Sequence, residues 1–426
     1  MKKLLILLLV VFVCISFAEI MAAAQTSDKL VTVLLQAHYV PATEQVLVKN
    51  AEKWAASKGV KVRIDFISDT ELESVITSEG QAKKGHDIIA LREYVSYIFT
   101  DILSDVSEVM ADVQAENGKV YKLGEQAGLI NGVWKAIPWF HESNPLIIRK
   151  DYIEQAGYTL KDFDNLTFDG LLVLAEKLQG IGHPVGFPVS MCPDANGILE
   201  TFMWAFGSYM YDKDNNVIIN SKETRNCLEY FSKLYKFMPS EVTGWDNLGN
   251  NNLILTGVGA LTANPPSIPA AAIENNLPFK DQIYVAPFPS GPVGRYRASA
   301  TWSFGIPTYS ENKELAADLI KDILKEANFM EHSKASAGFN QPIYSGYADR
   351  SQWANNPTLS AYEPALEELF MFNWPGPDAS PSAASARAQL LYTIPVMFSK
   401  VVTGESTIDE AISWAESELK RFVEEE

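Results

Sequence analysis

Cysteine is scarce, with 3 in 426 residues. That scarcity excludes a disulfide-stapled scaffold, which spends a far larger share of a short chain on cysteine. Histidine is sparse too, and His38, His86, His141, His183 and His332 stand apart, with no His-x-x-x-His pair and no Cys-x-x-Cys near them. No metal site and no cofactor are expected from such a pattern. Positive charge is in deficit, 35 Lys+Arg against 53 Asp+Glu for a formal net charge of -18. A chain this acidic repels phosphate backbones and anionic headgroups, so nucleic-acid or membrane-surface binding driven by bulk charge is excluded. The motifs of several enzyme classes are missing as well: there is no Gly-x-Ser-x-Gly elbow, no Gly-x-Gly-x-x-Gly after the first strand and no Gly-x-x-x-x-Gly-Lys-Ser/Thr. A glycosidase needs only two carboxylates about 5 to 10 Å apart. Acidic residues are numerous enough that sequence leaves that class open, yet nothing selects a pair.

What is present begins with an export signature. Lys2 and Lys3 precede an apolar run from Leu4 to Phe17 broken only by Ser16, and Ala22-Ala23-Ala24 supplies the small residues of a cleavage site. The mature chain is expected to begin near Gln25, in the periplasm. Cys14 follows Val13 inside the apolar run, which argues against a lipid anchor. After residue 24 no segment offers eighteen or more uninterrupted apolar residues, the length a membrane-spanning helix needs. Cys192 and Cys227 could pair in an oxidising compartment, but Cys227 lies on a helical pattern with Tyr230, Phe231 and Leu234, where a buried thiol serves equally well.

The first part of the mature chain alternates strand and helix signals. Leu30 to Leu35 is a β-rich apolar run, Val60, Val62, Ile64 and Phe66 alternate with period two, and Asp87 to Leu91 reads as a buried strand. Between them, Val46, Leu47, Ala51, Trp54 and Ala55 share one helical face, as do Leu72, Val75 and Ile76. The resulting βαβαβ unit predicts a parallel sheet covered on both faces, with ligands bound beyond the carboxyl ends of its strands. The middle, about 151 to 290, is helix-rich, with a helix start at Thr167 and Asp169 and another helical pattern from Asn226 to Phe237. A short strand is expected at Ser303 to Pro307, then a helix carrying Leu315, Leu319, Ile320 and Ile323. The last helix opens with a capping box, Thr407 and Glu410, and buries Ile408, Ala411, Ile412, Ala415, Leu419 and Phe422. Long irregular stretches at 338 to 360 and 372 to 384 read as functional loops.

Seven ordered blocks carry a resemblance. They are Asp87-Ile88-Ile89 with the following Arg92, Glu93 and Tyr94; Gly132 to Pro138 (GVWKAIP); Ile147 to Gly157 (IIRKDYIEQAG); Thr167-Phe168-Asp169; Gly257 to Asn264 (GVGALTAN); Ser303 to Leu324; and Thr403 to Ile412. Over essentially the whole mature chain they resemble the family 1 extracellular solute-binding proteins of carbohydrate ABC transporters, the maltose-binding-protein group. The resemblance implies an α/β protein with the two-lobe periplasmic-binding-protein fold, type II-like, with mixed sheets flanked by helices and a hinge of crossing segments. The crossings are expected near Ile137 to Ser143, Ser299 to Phe304 and Gly346 to Trp353. Lobe one would hold residues 25–138 and 303–348, and lobe two 139–302 and 349–426. The chain departs from the family after the fifth of these signatures, reading Asn264-Pro265-Pro266-Ser267 where an aromatic residue is common, so one stacking platform is missing or supplied elsewhere.

A sugar presents hydroxyls that donate and accept hydrogen bonds and ring faces of C–H groups, so its site combines aromatic walls with carboxylates, amides and a few arginines. The candidates of that kind are His38 and Tyr39 after the first strand and Arg92 and Glu93 after the third. Trp139 and Glu142 stand on the first crossing and Trp302 on the second. Lobe two would contribute Asp194, Asn196, Trp245 and Asn264, with Trp374 and Asp378 on a loop that could cap the cleft. Trp204 and Trp54 read instead as core. The function implied is a periplasmic, monomeric receptor, not an enzyme, that binds a mono- or oligosaccharide and delivers it to the permease of an ABC importer. The other readings are an exported carbohydrate-active enzyme, or a receptor for a polyamine or for a carboxylated or phosphorylated solute.

Overall fold

The computed structural model describes residues 29–93, 95–362, 369–371, 375–376 and 379–425; the expected signal segment, Tyr94, Trp374 and Asp378 lie outside them. Twelve strands are described: β1 Leu30–Gln36, β2 Lys61–Ile67, β3 Ile88–Arg92, β4 Leu129–Ile130, β5 Val133–Trp134, β6 Ile137–Ser143, β7 Leu146–Arg149, β8 Leu261–Ala263, β9 Ile283–Ala286, β10 Arg297–Gly305, β11 Gln341–Pro342 and β12 Leu369–Met371. Seven form one sheet in the order β11-β6-β10-β3-β1-β2, with β12 also on β10; β8-β7-β9 make a second sheet, and β4-β5 a small hairpin.

The βαβαβ reading of the first segment matches this topology. Strand β1 pairs in parallel with both β2 and β3, and the helices Ala42–Lys58 and Asp69–Ala82 are the crossovers. Central β3 is buried over Ile88, Ile89, Ala90 and Leu91, as a strand covered on both faces must be, whereas edge strand β2 is only half-buried. The expected short strand at Ser303 to Pro307 is the end of a longer one: β10 runs from Arg297 to Gly305, antiparallel to both β3 and β6, and every residue in it is buried. Its register shifts between Trp302 and Ser303, where Trp302 faces Phe140 but Ser303 faces Pro138. The extra residue in β6 is therefore Trp139, a bulge of the kind that re-aims side chains beside sites.

Two large cores result. One surrounds the seven-stranded sheet and draws on Val31 through Phe140 and on Trp302 through Tyr347; the other gathers Leu146 through Phe288 with Ala384 through Phe422. A small apolar cluster, Leu123, Ala127, Trp204, Ala298, Ala300 and Ala386, ties the two regions together and accounts for Trp204, which is core as expected. Trp54 is also core, its indole donating to Asp318 at 2.8 Å. The chain passes from the large sheet to the small one through only Asn144 and Pro145, between β6 and β7. Gly346, where the expected third crossing would begin, is pinned by backbone contact: its N–H donates to Asn117 O at 2.8 Å, and a Cβ on Gly346 would stand 2.4 Å from that oxygen. Only glycine fits there. The stretch 338 to 360, expected to be irregular, holds β11 and a short helix at Ser351–Ala354. Cys192 and Cys227 are both buried free thiols.

The final helix, Ile408–Glu424, forms the capping box read from the sequence: Thr407 Oγ1 accepts from the Glu410 N–H at 3.3 Å, and Glu410 Oε2 accepts from the Thr407 N–H at 2.8 Å. Replacing Thr407 by Ala should destabilise the protein by about 1 kcal/mol, read as a lower denaturant midpoint at unchanged slope. An unchanged midpoint would show that the helix is held by packing alone.

Candidate functional site

The direction of the strands gathers the polar candidates. Strands β1, β2 and β3 are parallel, and β6 runs with them because both it and β3 are antiparallel to β10. Their carboxyl ends therefore share one edge, which presents Gln36-Ala37-His38-Tyr39 after β1, Ser68 after β2, Arg92-Glu93 at β3 and Glu142-Ser143-Asn144 at β6. Facing this edge are Pro193 and Asp194 at the start of the helix Pro193–Phe206, Asn247 in the loop before the helix Gly249–Leu255, Asn251 within that helix, and Asn264-Pro265 beyond β8.

Two adjoining cavities meet at this edge, the first among the residues of the edge itself and the second between the two surfaces, and Gln36, Tyr39, Glu142, Trp302 and Phe339 line both. The first is apolar, walled by Leu35, Leu47, Phe66, Trp139, Phe140, His332 and Phe339. The second is polar, walled by Arg92, Glu93, Asn144, Asp194, Asn251, Asn264 and Ser267. A wider mouth outside them is bordered by Ser190, Met191, Trp245, Asp246, Asn247, Leu248 and Tyr392. Across it Asn247 Nδ2 donates to the Tyr39 hydroxyl at 3.1 Å, while Asn247 Oδ1 accepts from the Asp194 N–H at 3.3 Å. Deeper in, Asn250 Nδ2 binds Asp194 Oδ2, Ala263 O and Asn264 Oδ1 at 3.0 to 3.1 Å, fixing three wall elements relative to one another.

Aromatic rings pack closely at the apolar end. Trp139 is stacked on Phe304 at 4.5 Å and on His332 at 4.8 Å, and it is 6% exposed, so it offers the cavity an edge and not an open face. Trp302 donates its indole N–H to Glu142 Oε1 at 3.2 Å. His38 Nε2 lies 3.1 Å from Asn340 Oδ1, and burial lowers its pKa to about 4 against that bond; burial also holds His332 well below the ordinary imidazole range. Both rings are neutral near pH 7.

The carboxylates are shifted the other way. Burial, reinforced by the charges of Glu93 and Asp194, pushes Glu142 up to about 8 against the Trp302 hydrogen bond. Glu93 is pushed up to about 7 by burial and by Glu73, opposed by Arg92, whose Nε is 3.1 Å from Glu93 Oε2. Glu93 also adopts φ +44°, a left-handed backbone that a side-chain-bearing residue holds only where the surroundings enforce it, and its N–H donates to Thr301 O at 2.6 Å.

Six buried polar atoms on the wall of the polar cavity have no hydrogen-bond partner among the described residues: Gln36 Oε1, Arg92 Nε, Glu93 Oε1, Glu142 Oε2, Asn251 Oδ1 and Asn144 Nδ2. Thr43 Oγ1 and Trp139 Nε1 are two more such atoms, in the apolar cavity. Each costs on the order of 1–3 kcal/mol of desolvation while unmatched. So many in one place describe a surface complementary to a polar solute.

His38, Tyr39, Arg92, Glu93, Trp139, Glu142, Asp194, Asn264 and Trp302 thus meet around the two cavities, and Trp245 stands at the mouth. Asn196 does not reach them. Two residues beyond Asp194 on a helix is a rotation of about 200°, which turns Asn196 inward, where its amide donates to Gln389 O at 3.1 Å. Sequence reasoning missed Gln36, Asn144, Asn247, Asn251 and Phe339. Gln36 and Asn144 close strands whose ends were already expected to face the ligand, and Asn250 to Asn252 form an amide run that marks the same surface.

The raised carboxyls tie stability to pH. The empty folded protein holds a proton on Glu142 that the unfolded chain releases above the ordinary glutamate pKa. Its contribution is therefore fully present below about pH 4.5 and is lost as the pH rises to about 8, with Glu93 adding a loss towards about 7. The melting temperature of Glu142→Gln should gain on that of the parent chain between pH 5 and 8; parallel curves would mean that Glu142 is solvated.

Residues 40–328 match the bacterial extracellular solute-binding protein family. The chain is 25% identical over 318 residues, 71% of its length and 74% of the other's, to a "Probable ABC transporter-binding protein" of Deinococcus radiodurans. In fold it is similar to maltose-bound MalE3 of T. maritima, with a TM-score of 0.79 and 22% identity over 92% of this chain and 99% of that one. It is likewise similar to a sugar transporter protein of Arthrobacter chlorophenolicus A6 with bound laminaribiose, with a TM-score of 0.80 and 16% identity over 92% and 99% of the two chains. The expected α/β architecture, the two-lobe periplasmic-binding-protein fold, is thereby established. Matched over most of its length, the chain belongs to the bacterial extracellular solute-binding proteins, the family that serves ABC transporters.

Proposed function

We propose that this protein is the periplasmic receptor of a carbohydrate importer, which encloses a mono- or oligosaccharide between its lobes and delivers it, chemically unaltered, to the ABC permease. The observation that carries this reading is the cluster of unpartnered buried donors and acceptors in the polar cavity, set against the aromatic wall of Trp302, Phe339 and Tyr39. Hydroxyls can satisfy both kinds of atom, and the C–H face of a sugar ring suits an aromatic wall. Solved proteins of similar fold hold maltose and laminaribiose, which favours the same class of solute here. In this reading residues 1–24 are removed on export and the receptor acts as a monomer.

The lobes are residues 25–138 with 303–348, and 139–302 with 349–426. Strands β6 and β10 extend the large sheet past those boundaries, which favours pivots nearer Asn144-Pro145 and Arg297 than residues 138 and 303. Closure brings Asp194, Asn251 and Asn264 against Glu93, Glu142 and Gln36, and a solute contacting both sides favours the closed form by its difference in affinity. Turning a 1:99 closed population into 99:1 takes about 5.5 kcal/mol of such preference. A few desolvated hydrogen bonds with aromatic packing supply that much.

Thermal unfolding of the mature protein against a panel of neutral sugars, amino sugars, polyamines and sugar phosphates tests the reading. A sugar at about a hundredfold excess over its Kd should stabilise the protein by about 2.7 kcal/mol. A panel in which only non-sugars stabilise would overturn it, and turnover of a bound oligosaccharide would favour the exported-enzyme reading. Small-angle scattering should show a smaller radius of gyration with the stabilising sugar. In Tyr39→Phe, which loses the bond to Asn247, affinity should fall by about threefold to tenfold; unchanged affinity would remove this contact from the closing interaction.

A further inference from the structure

We infer that the solute carries a protonated amino group, so that the cleft is built for an amino sugar in preference to a neutral one; this rests on the carbohydrate reading above. The described residues lining the cleft bring five carboxylates, Glu44, Glu93, Glu142, Asp194 and Asp246, against the single guanidinium of Arg92 and no lysine. Arg92 is already engaged, its Nε 3.1 Å from Glu93 and its Nη2 3.5 Å from Glu73. Glu44 accepts the His38 N–H at 2.7 Å, and the neutral His38 and His332 bring no positive charge. The unmatched excess is therefore concentrated between Glu142 and Glu93. Glu142 is 9% exposed and Glu93 1% exposed, and each keeps one oxygen without a partner among the described residues.

Counting donors against acceptors points the same way. In the polar cavity the atoms without a hydrogen-bond partner are four acceptors, Gln36 Oε1, Glu93 Oε1, Glu142 Oε2 and Asn251 Oδ1, and two donors, Asn144 Nδ2 and Arg92 Nε, the latter already within 3.1 Å of Glu93 as an ion pair. A hydroxyl donates one hydrogen and also presents lone pairs; an ammonium donates three and presents none, so it answers an acceptor excess of negative sign best. The neutral donors Asn144 Nδ2 and Trp139 Nε1 separate an amino sugar from a polyamine, because they require oxygen acceptors that a polyamine lacks. Glu142 on β6 is faced by Trp302 from β10, Arg92 and Glu93 from β3, Asp194 from the helix Pro193–Phe206 and the phenol of Tyr362. Of these only Arg92 is a cation, and an ammonium would let both glutamates ionise in place of holding protons.

Titration calorimetry of the mature chain at about pH 6, where a sugar amine is charged, His38 and His332 are neutral and Glu142 and Glu93 hold protons before binding, decides this. The probes are glucosamine, galactosamine and mannosamine, each beside its hydroxyl and N-acetyl counterparts, their β-1,4-linked disaccharides where these exist, and spermidine. At least one amino form should bind about tenfold more tightly than its hydroxyl and N-acetyl counterparts. Its heat should vary with the buffer in the sense of proton release, since Glu142 and Glu93 lose protons beside a cation. Glu142→Gln should narrow the preference to about threefold and reduce proton release. Should that variant fail to fold, the parent chain's preference and proton release still decide. A neutral or N-acetyl sugar binding as tightly as its amine overturns the amino-group inference and leaves the carbohydrate reading standing. Binding of spermidine alone overturns both. Failure of every amino form to bind also overturns the inference, because the acidic cavity is to hold the ammonium whatever the ring's stereochemistry.

Discussion

The arrangement of this protein depends on keeping carboxylates out of water without giving them enough partners. Glu142 and Glu93 sit at the carboxyl ends of β6 and β3, where the strand directions force them into the same narrow space. Burial resists their ionisation, their mutual repulsion adds to that resistance, and one arginine offsets it only in part. A core built this way would be poor design for stability alone. It is sound design for a surface whose missing partner arrives from outside, since an unmade hydrogen bond in a dry cavity costs more than the same bond contributes in water.

The surrounding structure makes that cost tolerable. Two well-filled cores on either side of the cleft, one around the large sheet and one around the helices of the chain's second half, hold the walls in place. Asn250 binds Asp194, Ala263 and Asn264 together, so the facing wall moves as a unit. The bulge at Trp139 lets consecutive residues, Trp139 and Phe140, line the same apolar cavity, which strict alternation along a strand would forbid.

Much of this was legible in the sequence. Period-two and helical patterns located β1 to β3 and their crossover helices, Thr407 and Glu410 announced the last helix, and the ends of parallel strands pointed to His38, Tyr39, Arg92 and Glu93. What sequence could not supply was which face a residue turns after distant segments meet. Asn196 and Asp194 look alike in a loop-like stretch, yet the helix that forms there sends them in different directions. Trp139 reads as an open platform until Phe304 and His332 close on it from far along the chain. Asn144 and Asn251 carry no pattern of their own and become notable only as buried amides without partners.

The contact from Asn247 to Tyr39 spans the mouth. A neutral bond of that kind contributes about 1 kcal/mol, enough to multiply a shut population several-fold but not to hold it. The two walls of the mouth thus carry a weak latch of their own.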